Sequence, residues 1–257
     1  MLELDAARTG KVLVIGHRGA LGHAPENTFA SFKKGLELGS DVLELDVQLS
    51  RDGHLMVIHD GDVSRTTDGK GHVRDLTLEQ IKALDAGSWF DDAFAGEQVP
   101  TLHEVLAWAK NRIPLAVEIK GDPTPDSAMA PRIVAALRQH DMIDEVMLIS
   151  FHHDMLVLAR ELEPRLTTGI LYVGSLVDTV GAAHAAKADS VRPAWNYWTA
   201  AKVAVVHAAG LTASAWNADV EGLMEHLVSL GVDSIGANYP DRLRRFLDRR
   251  GLSWSGS

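Results

Sequence analysis

Residues 12–27 read VLVIGHRGALGHAPEN. The leading Val12, Leu13, Val14 and Ile15 form the β-branched apolar run of a buried strand. Gly16 closes that run, His17-Arg18-Gly19 follows at once, and Asn27 stands where a helix N-cap belongs. A strand that passes through a glycine-punctuated polar turn into a helix is the opening of an α/β unit. In α/β folds the C-terminal ends of parallel strands carry the chemistry. His17 and Arg18 therefore lie where a site is expected, provided other strands bring matching groups to the same end.

Outward from this stretch, residues 28–38 predict a helix with Phe29, Phe32, Leu36 and Leu38 apolar and Gly39 as its stop. Residues 41–49, DVLELDVQL, alternate strictly: Val42, Leu43, Leu45, Val47 and Leu49 are apolar, and Glu44, Asp46 and Gln48 are polar. This is a strand of period two. Arg51-Asp52-Gly53 makes a turn into a strand over 55–58 that ends at His59-Asp60. Residues 61–100 break the rhythm with Asp68-Gly69, Lys70-Gly71, a short helix over 78–84 and a loop carrying Trp89 and Phe90. They read as an insertion with little core of its own. Thr101 then caps a helix over 102–110. Strands are predicted near 115–119, 146–150, 167–171, 189–192, 211–215 and 234–236, with helices near 127–140, 152–162, 176–186, 199–209, 220–230 and 241–250. Leaving aside 55–58, eight strands each followed by a helix or an interruption give the count of a (β/α)8 TIM barrel. An open doubly wound sheet shares the same local pattern.

The chain has 257 residues, 46% of them hydrophobic, enough for a sizeable core. Its formal net charge of −10 argues against nucleic acid as a partner, which needs a positive footprint, but leaves room for a small anionic ligand met by a local basic cluster. No cysteine is present, which excludes disulfides, thiolate metal sites and a cysteine nucleophile. The N-terminal MLELDAARTGK lacks the apolar core of a leader, and no run approaches a membrane span. A cytoplasmic protein without stable membrane insertion is the expectation; its oligomeric state is not legible. Gly16, Gly19 and Gly22 superficially suggest a dinucleotide turn. The spacing fails, because Arg18 occupies the second glycine position and Pro25 interrupts the helix entry.

Glu44 and Asp46 are two apart on a strand, so both side chains leave one face. On an edge strand that face is merely solvated. Inside a barrel, two carboxylates need a cation or donors to offset their burial. Glu118, near the end of LAVEI, is a third carboxylate, with Lys120 two residues on; these two also suit a surface pair. Three carboxylates with no sulfur ligand suit a hard cation, Mg2+, Ca2+ or Mn2+, in preference to zinc. Such an ion polarises a phosphoryl or carbonyl oxygen. His17 and His59 each follow an apolar strand, and facing a carboxylate cluster they suit one general base and one general acid. Asp60 either orients His59 or opens a turn. Arg18 and Lys120 add fixed positive charge for an anionic substrate. The convergence fits phosphodiester cleavage. Trp216, after the strand at 211–215, either walls the barrel mouth or packs in the core. Trp195, Tyr197 and Trp198 form an apolar rim or cover the barrel end, and His152 and His153, after a strand end, suit helix capping more than binding.

The chain resembles the bacterial glycerophosphodiester phosphodiesterases. The matching pieces are His17-Arg18-Gly19, Pro25-Glu26-Asn27-Thr28, Glu44-Leu45-Asp46, His59-Asp60, Arg65-Thr66-Thr67, Pro100-Thr101-Leu102, Glu118-Ile119-Lys120, Ser150-Phe151, Trp216 and the C-terminal GVDSIGANYPDRL. They span nearly the whole chain in the family's order. The resemblance implies one barrel domain over 1–257 with the insertion at about 61–100, after the second strand. It implies metal ligands at Glu44, Asp46 and Glu118, catalytic histidines at His17 and His59, and phosphate held by Arg18 and Lys120. It implies hydrolysis of small glycerophosphodiesters to glycerol 3-phosphate and an alcohol with one divalent cation. The chain departs from the family at Asn217-Ala218-Asp219 and Gly236-Ala237-Asn238, strand-end positions expected to bear on substrate preference. A lyase acting on lipid head groups and a non-catalytic phosphate-binding barrel are the alternatives.

Overall fold

The computed structural model describes residues 10–121 and 125–254, so most of the N-terminal segment on which the leader expectation rests, 1–9, lies outside the described residues. The chain opens with β1 (Leu13–Gly16), α1 (Phe29–Glu37), β2 (Val42–Leu49) and β3 (Leu55–Val57). An irregular stretch holding α2 (Leu78–Lys82) leads to α3 (Leu102–Ala109) and β4 (Leu115–Ile119). Strand and helix then alternate through α4 (Met129–Gln139), β5 (Val146–Ser150), α5 (His153–Leu162), β6 (Thr167–Tyr172) and α6 (Thr179–Ala185). β7 (Ser190–Pro193), α7 (Ala200–Ala208), β8 (Thr212–Ala215), α8 (Glu221–Leu230), β9 (Ser234–Ala237) and α9 (Pro240–Arg249) complete the order.

The strands run β1-β9-β8-β7-β6-β5-β4-β2 around a ring, all parallel, and β1 pairs back onto β2 with Ile15 opposite Val42. The ring closes, so this is the (β/α)8 barrel and not the open sheet. Period-two alternation sorts the side chains. Leu43, Leu45 and Val47 of β2 and Leu115, Val117 and Ile119 of β4 point outward, into the large core between barrel and helices. Leu13, Ile15, Val42, Ala116, Met147, Ile149 and Leu171 point inward, and Trp216 and Trp254 pack against this inner cluster. Each large apolar side chain so buried contributes roughly 1.5–3 kcal/mol before the entropy cost of ordering it. Glu44, Asp46 and Gln48 fall by the same alternation on the inner face, and all three are buried. The solvent-facing edge is thereby excluded.

β3 stands outside the ring. It pairs antiparallel with β2, Val57 opposite Val47 and Leu55 opposite Leu49. The hairpin rises past the barrel mouth and returns, so His59 comes back to the level of Asp46, whose carbonyl accepts the Ile58 N–H at 3.0 Å. The segment after it corrects the expectation of an insertion with little core of its own: Val63, Val73, Ile81, Ala86 and Val99 form a buried cluster together with Met56 and Ile58. These positions are scattered without a period, which is why no pattern announced them. The cap of α1 is a second correction. Thr28, not Asn27, accepts the Ser31 N–H at 3.3 Å, and Asn27 sits in the left-handed region at φ 58 with its side chain turned elsewhere. Thr101 caps α3 as expected, in a reciprocal capping box with Glu104. Among the described residues no helix is long and apolar enough to cross a membrane.

Candidate active site

The site forms where the strands end. β2 carries Glu44 and Asp46, and β4 places Glu118 directly opposite Asp46 in register, with the small Ala116 opposite Glu44. Cross-strand partners on one face lie close, and one carboxylate oxygen from each of Glu44, Asp46 and Glu118 falls within 4.8 Å of the others. All three residues are buried. Burial and the neighbouring negative charges push the Glu44 carboxyl well above its ordinary range, and burial together with Asp46 pushes Glu118 up to about 7. Asp46 goes the other way. Burial opposes its charge, but Arg18 and Lys120 outweigh it and hold the carboxyl low.

Asp46 is also the most constrained of the three. Its Oδ2 accepts from Asn27 Nδ2 at 2.9 Å, and its backbone N–H donates to Asn27 Oδ1 at 3.3 Å. Its Oδ1 is buried without a hydrogen-bond partner. A buried carboxylate oxygen left bare beside two proton-hungry carboxyls is the arrangement a cation would complete. The donor set is oxygen only, so the cluster could hold a hard metal ion.

Arg18 reaches this cluster through a left-handed backbone, φ 48, which costs a non-glycine residue roughly 1–2 kcal/mol. The turn aims two groups into the site. Its backbone N–H donates to Glu44 Oε2 at 2.8 Å, and its guanidinium donates to Glu26 Oε1 at 2.7 Å and lies 3.3 Å from Asp46 Oδ2. Gly19 completes the turn at φ +90, tight against Ser31, where a Cβ would have no room. Lys120 donates to Glu118 Oε1 at 2.9 Å, lies 3.7 Å from Asp46 Oδ1 and stands 3.0 Å from His59 Nε2. Its ammonium is charged, because Glu118 and Asp46 overcome the burial that opposes it.

The two histidines are held by different partners. His17 Nδ1 donates to Asn238 Oδ1 at 2.7 Å, and the Asn217 side-chain amide lies 3.0 Å from the same nitrogen. Asn238 is fixed by Asp219, whose carboxylate accepts the Asn238 Nδ2 at 2.6 Å and its backbone N–H at 2.8 Å. This relay sets the tautomer and leaves Nε2 as a lone pair facing Glu44, 4.0 Å from its Oε2. Burial, reinforced by the Arg18 charge, pushes the His17 imidazole down to about 4, so it is neutral at pH 7. His59 Nδ1 instead donates to the carboxylate of Asp60 at 2.5 Å, while its Nε2 receives the Lys120 ammonium. Burial lowers its imidazole too, against the pull of Asp46. Asp60 is itself held by Arg65 through Nε at 2.5 Å and Nη2 at 3.1 Å. Arg65 in turn grips Glu26 with two bonds of 2.8 Å. A continuous chain thus runs from His59 through Asp60, Arg65 and Glu26 to Arg18.

Beside these groups opens a cavity of about 230 Å³. His17, Arg18, Glu44, His59, Glu118 and Lys120 line one side; Ile149, Phe151, Leu171 and Trp216 line the other. Trp216 is anchored by its indole N–H on the Arg192 carbonyl at 2.8 Å and meets Phe151 edge to face at 5.9 Å. The other tryptophans divide: Trp198 is buried and donates to the Ser214 carbonyl at 2.8 Å, whereas Trp195 is exposed. His152 and His153 do not cap α5. No side chain caps that helix, and His153 Nε2 instead lies 2.8 Å from the Leu171 carbonyl oxygen.

The structure therefore brings His17, Arg18, Glu44, Asp46, His59, Glu118, Lys120 and Trp216 to one place. It adds supporting residues that the sequence did not place at the site or gave only a bearing on preference: Glu26, Asn27, Arg65, Asp219 and Asn238. Glu26 and Asn27 sit inside the family-like Pro25-Glu26-Asn27-Thr28 stretch, but an asparagine before a helix reads first as its cap. Arg65 lies in turn-rich sequence with no period to place it. Asp219 and Asn238 are at ends of different strand units and meet only through barrel closure.

Comparison with known proteins gives the same direction. Residues 17–242 match the model of the glycerophosphoryl diester phosphodiesterase family. A glycerophosphodiester phosphodiesterase of Caldanaerobacter subterraneus is 38% identical over 242 residues, covering 94% of this chain and all of the relative. One from Bacillus subtilis is 32% identical over 249 residues, covering 90% of this chain and 85% of the relative. Among solved structures, a glycerophosphodiester phosphodiesterase from Agrobacterium tumefaciens superimposes with a TM-score of 0.80 at 29% identity, over 90% of this chain and 98% of the other. An Oleispira antarctica phosphodiesterase in complex with the product sn-glycerol-3-phosphate superimposes with a TM-score of 0.83 at 29% identity, over 94% and 99%. The closed barrel, the acidic cluster at its mouth and this run of relatives along nearly the full chain agree: the protein belongs to the glycerophosphoryl diester phosphodiesterase family.

Proposed function

We propose that this chain, acting as one barrel domain, hydrolyses glycerophosphodiesters to glycerol 3-phosphate and an alcohol. A divalent ion held by Glu44, Asp46 and Glu118 supplies Lewis-acid polarisation of the phosphoryl oxygens. Mg2+, Ca2+ and Mn2+ all suit the donor set. Arg18 and Lys120 neutralise the charge that grows on phosphorus oxygens as the bond breaks. The observation that carries this reading is the unequal support of the two histidines. His17 leans on a neutral amide and rests unprotonated, which suits a general base that takes a proton at Nε2 from the nucleophile, water or the glycerol 2-hydroxyl. His59 is backed at Nδ1 by the Asp60 carboxylate, which stabilises positive charge on the ring and suits a general acid that delivers a proton to the leaving alcohol.

The leaving group distinguishes the roles. With a poorly leaving alkoxide such as ethanolamine or glycerol, His17→Ala and His59→Ala should each lower kcat by about 10²–10⁴-fold, the span of general acid–base contributions. With a p-nitrophenyl ester, whose phenolate leaves without a proton, His59→Ala should recover most of its kcat and His17→Ala should not. Equal rescue of both variants, or rescue of His17→Ala alone, overturns the assignment. Phosphorus NMR of the reaction separates the nucleophiles, since attack by the 2-hydroxyl passes through a cyclic phosphate.

A further inference from the structure

Arg192, on β7, enters the cavity from the wall opposite the acidic cluster. It is only 5% exposed. Arg18 has Glu26 and Asp46, Lys120 has Glu118, and Arg65 has Glu26 and Asp60. Among the described residues no carboxylate forms an ion pair with Arg192. Glu44, across the cavity, favours its charged form. Among the described residues its Nε is buried without a hydrogen-bond partner, and its Nη1 makes a weak hydrogen bond to the Met147 sulfur at 3.5 Å. Burial pushes the guanidinium down to about 10, so it remains charged at neutral pH.

The barrel makes room for this residue. A Cβ on Gly169 of the neighbouring β6 would come within 2.7 Å of Arg192 Cδ. Ile15, Ile149, Leu171 and Ala215 line the same cavity with apolar side chains that offer no acceptor. A buried cation with open donors costs stability unless something brings it a counter-charge. A guanidinium is a planar fork matched to a planar pair of oxygens. One monoanion neutralises it, and apolar walls favour a monoanion over the more strongly hydrated dianion.

Resting on the reading that Arg18, Lys120 and a divalent ion on the acidic cluster hold the phosphate, we propose that Arg192 anchors a carboxylate on the group that fills the cavity, so that the site takes phosphoesters of glyceric-acid type in addition to glycerol ones. The test uses glycerol 3-phosphate and 3-phosphoglycerate, which differ by a carboxylate in place of the terminal hydroxymethyl group. Calorimetric titration of the wild-type protein with Mg2+ present is expected to show 3-phosphoglycerate bound about tenfold or more tightly than glycerol 3-phosphate, the gain of a charge-assisted bidentate contact. Arg192→Met is expected to bind the two equally. It should keep its thermal midpoint or raise it, because a buried unpaired charge has been removed. Arg192→Lys is expected to retain part of the preference. Wild-type protein that binds glycerol 3-phosphate as tightly, no measurable binding of 3-phosphoglycerate, or a preference that survives in a folded Arg192→Met overturns the proposal. Hydrolysis of glycerophosphodiesters with neutral alcohols is scored in parallel. Its absence overturns the activity reading while leaving the binding comparison to decide the role of Arg192.

Discussion

In the mechanism proposed above, His17 takes its tautomer from residues that lie behind it. Its Nδ1–H is committed to Asn238, and Asn238 is committed to Asp219. Asn238→Ala or Asp219→Ala leaves the imidazole in place but frees its tautomer. Such variants are expected to lose about 10–100-fold in kcat, the range for outer partners of catalytic groups, with KM nearly unchanged. Steady-state kinetics check this, and an unchanged kcat would remove the relay from the mechanism. Glu118 makes a second statement at the same scale. With its carboxyl at about 7 it holds a proton below neutrality, and a bound ion must displace that proton. Metal affinity should therefore weaken as pH falls, by up to tenfold per pH unit below 7 for each proton displaced. Titrating Mg2+ at pH 8 and pH 6 checks the sign; equal affinities would contradict it. The linked effect on folding has the opposite slope. A carboxyl raised from 4.5 to about 7 stabilises the metal-free fold below 4.5 and loses that contribution as pH rises through 7. Glu44 acts in the same direction.

At the scale of elements, the β2–β3 hairpin and the segment after it deliver His59, Asp60 and Arg65. The strand over 55–58 was legible from its composition, but its antiparallel sense was not. Direction depends on which neighbour the returning chain finds, and Val47 and Leu49 of β2 supply that neighbour through long-range pairing. The small core under the insertion was missed for a related reason: Met56, Ile81 and Val99 belong to no single helix or strand, so no periodic signal joins them. That core predicts a separation of effects. Ile81→Ala should cost about 2–5 kcal/mol if the cavity does not collapse. It should also lower kcat, because it loosens the platform beneath Arg65 and His59. Thr101→Ala removes the capping box of α3 for about 1 kcal/mol and should leave kcat unchanged. Chemical denaturation and kinetics on the two variants check the contrast; equal kcat in both would show that the insertion core does not position the site.

At the scale of the whole molecule, the barrel gathers onto one mouth groups as distant in sequence as His17 and Asn238, and it does so by closure of β1 onto both β9 and β2. Each strand could be read locally because apolar alternation is a property of a few neighbouring residues. Glu118, His17 and His59 could be singled out because each sits at or just after a strand end, and Glu44 and Asp46 because two carboxylates two residues apart leave one face of β2. Asn27 resisted because its residue type has a commoner use as a cap, and Arg192 because an arginine next to a strand end reads as surface. Which carboxylate faces which is likewise a matter of register, and only the pairing of Asp46 with Glu118 makes the three acids one cluster. The central claim is that this cluster binds the ion on which phosphodiester cleavage depends. Formation of glycerol 3-phosphate from a glycerophosphodiester, followed by a coupled assay before exhaustive chelation, after it, and after Mg2+ is restored, measures that dependence directly. Chelation is expected to abolish turnover and the ion to return it in wild-type protein but not in Glu44→Gln or Asp46→Asn; turnover undiminished by chelation would contradict the claim.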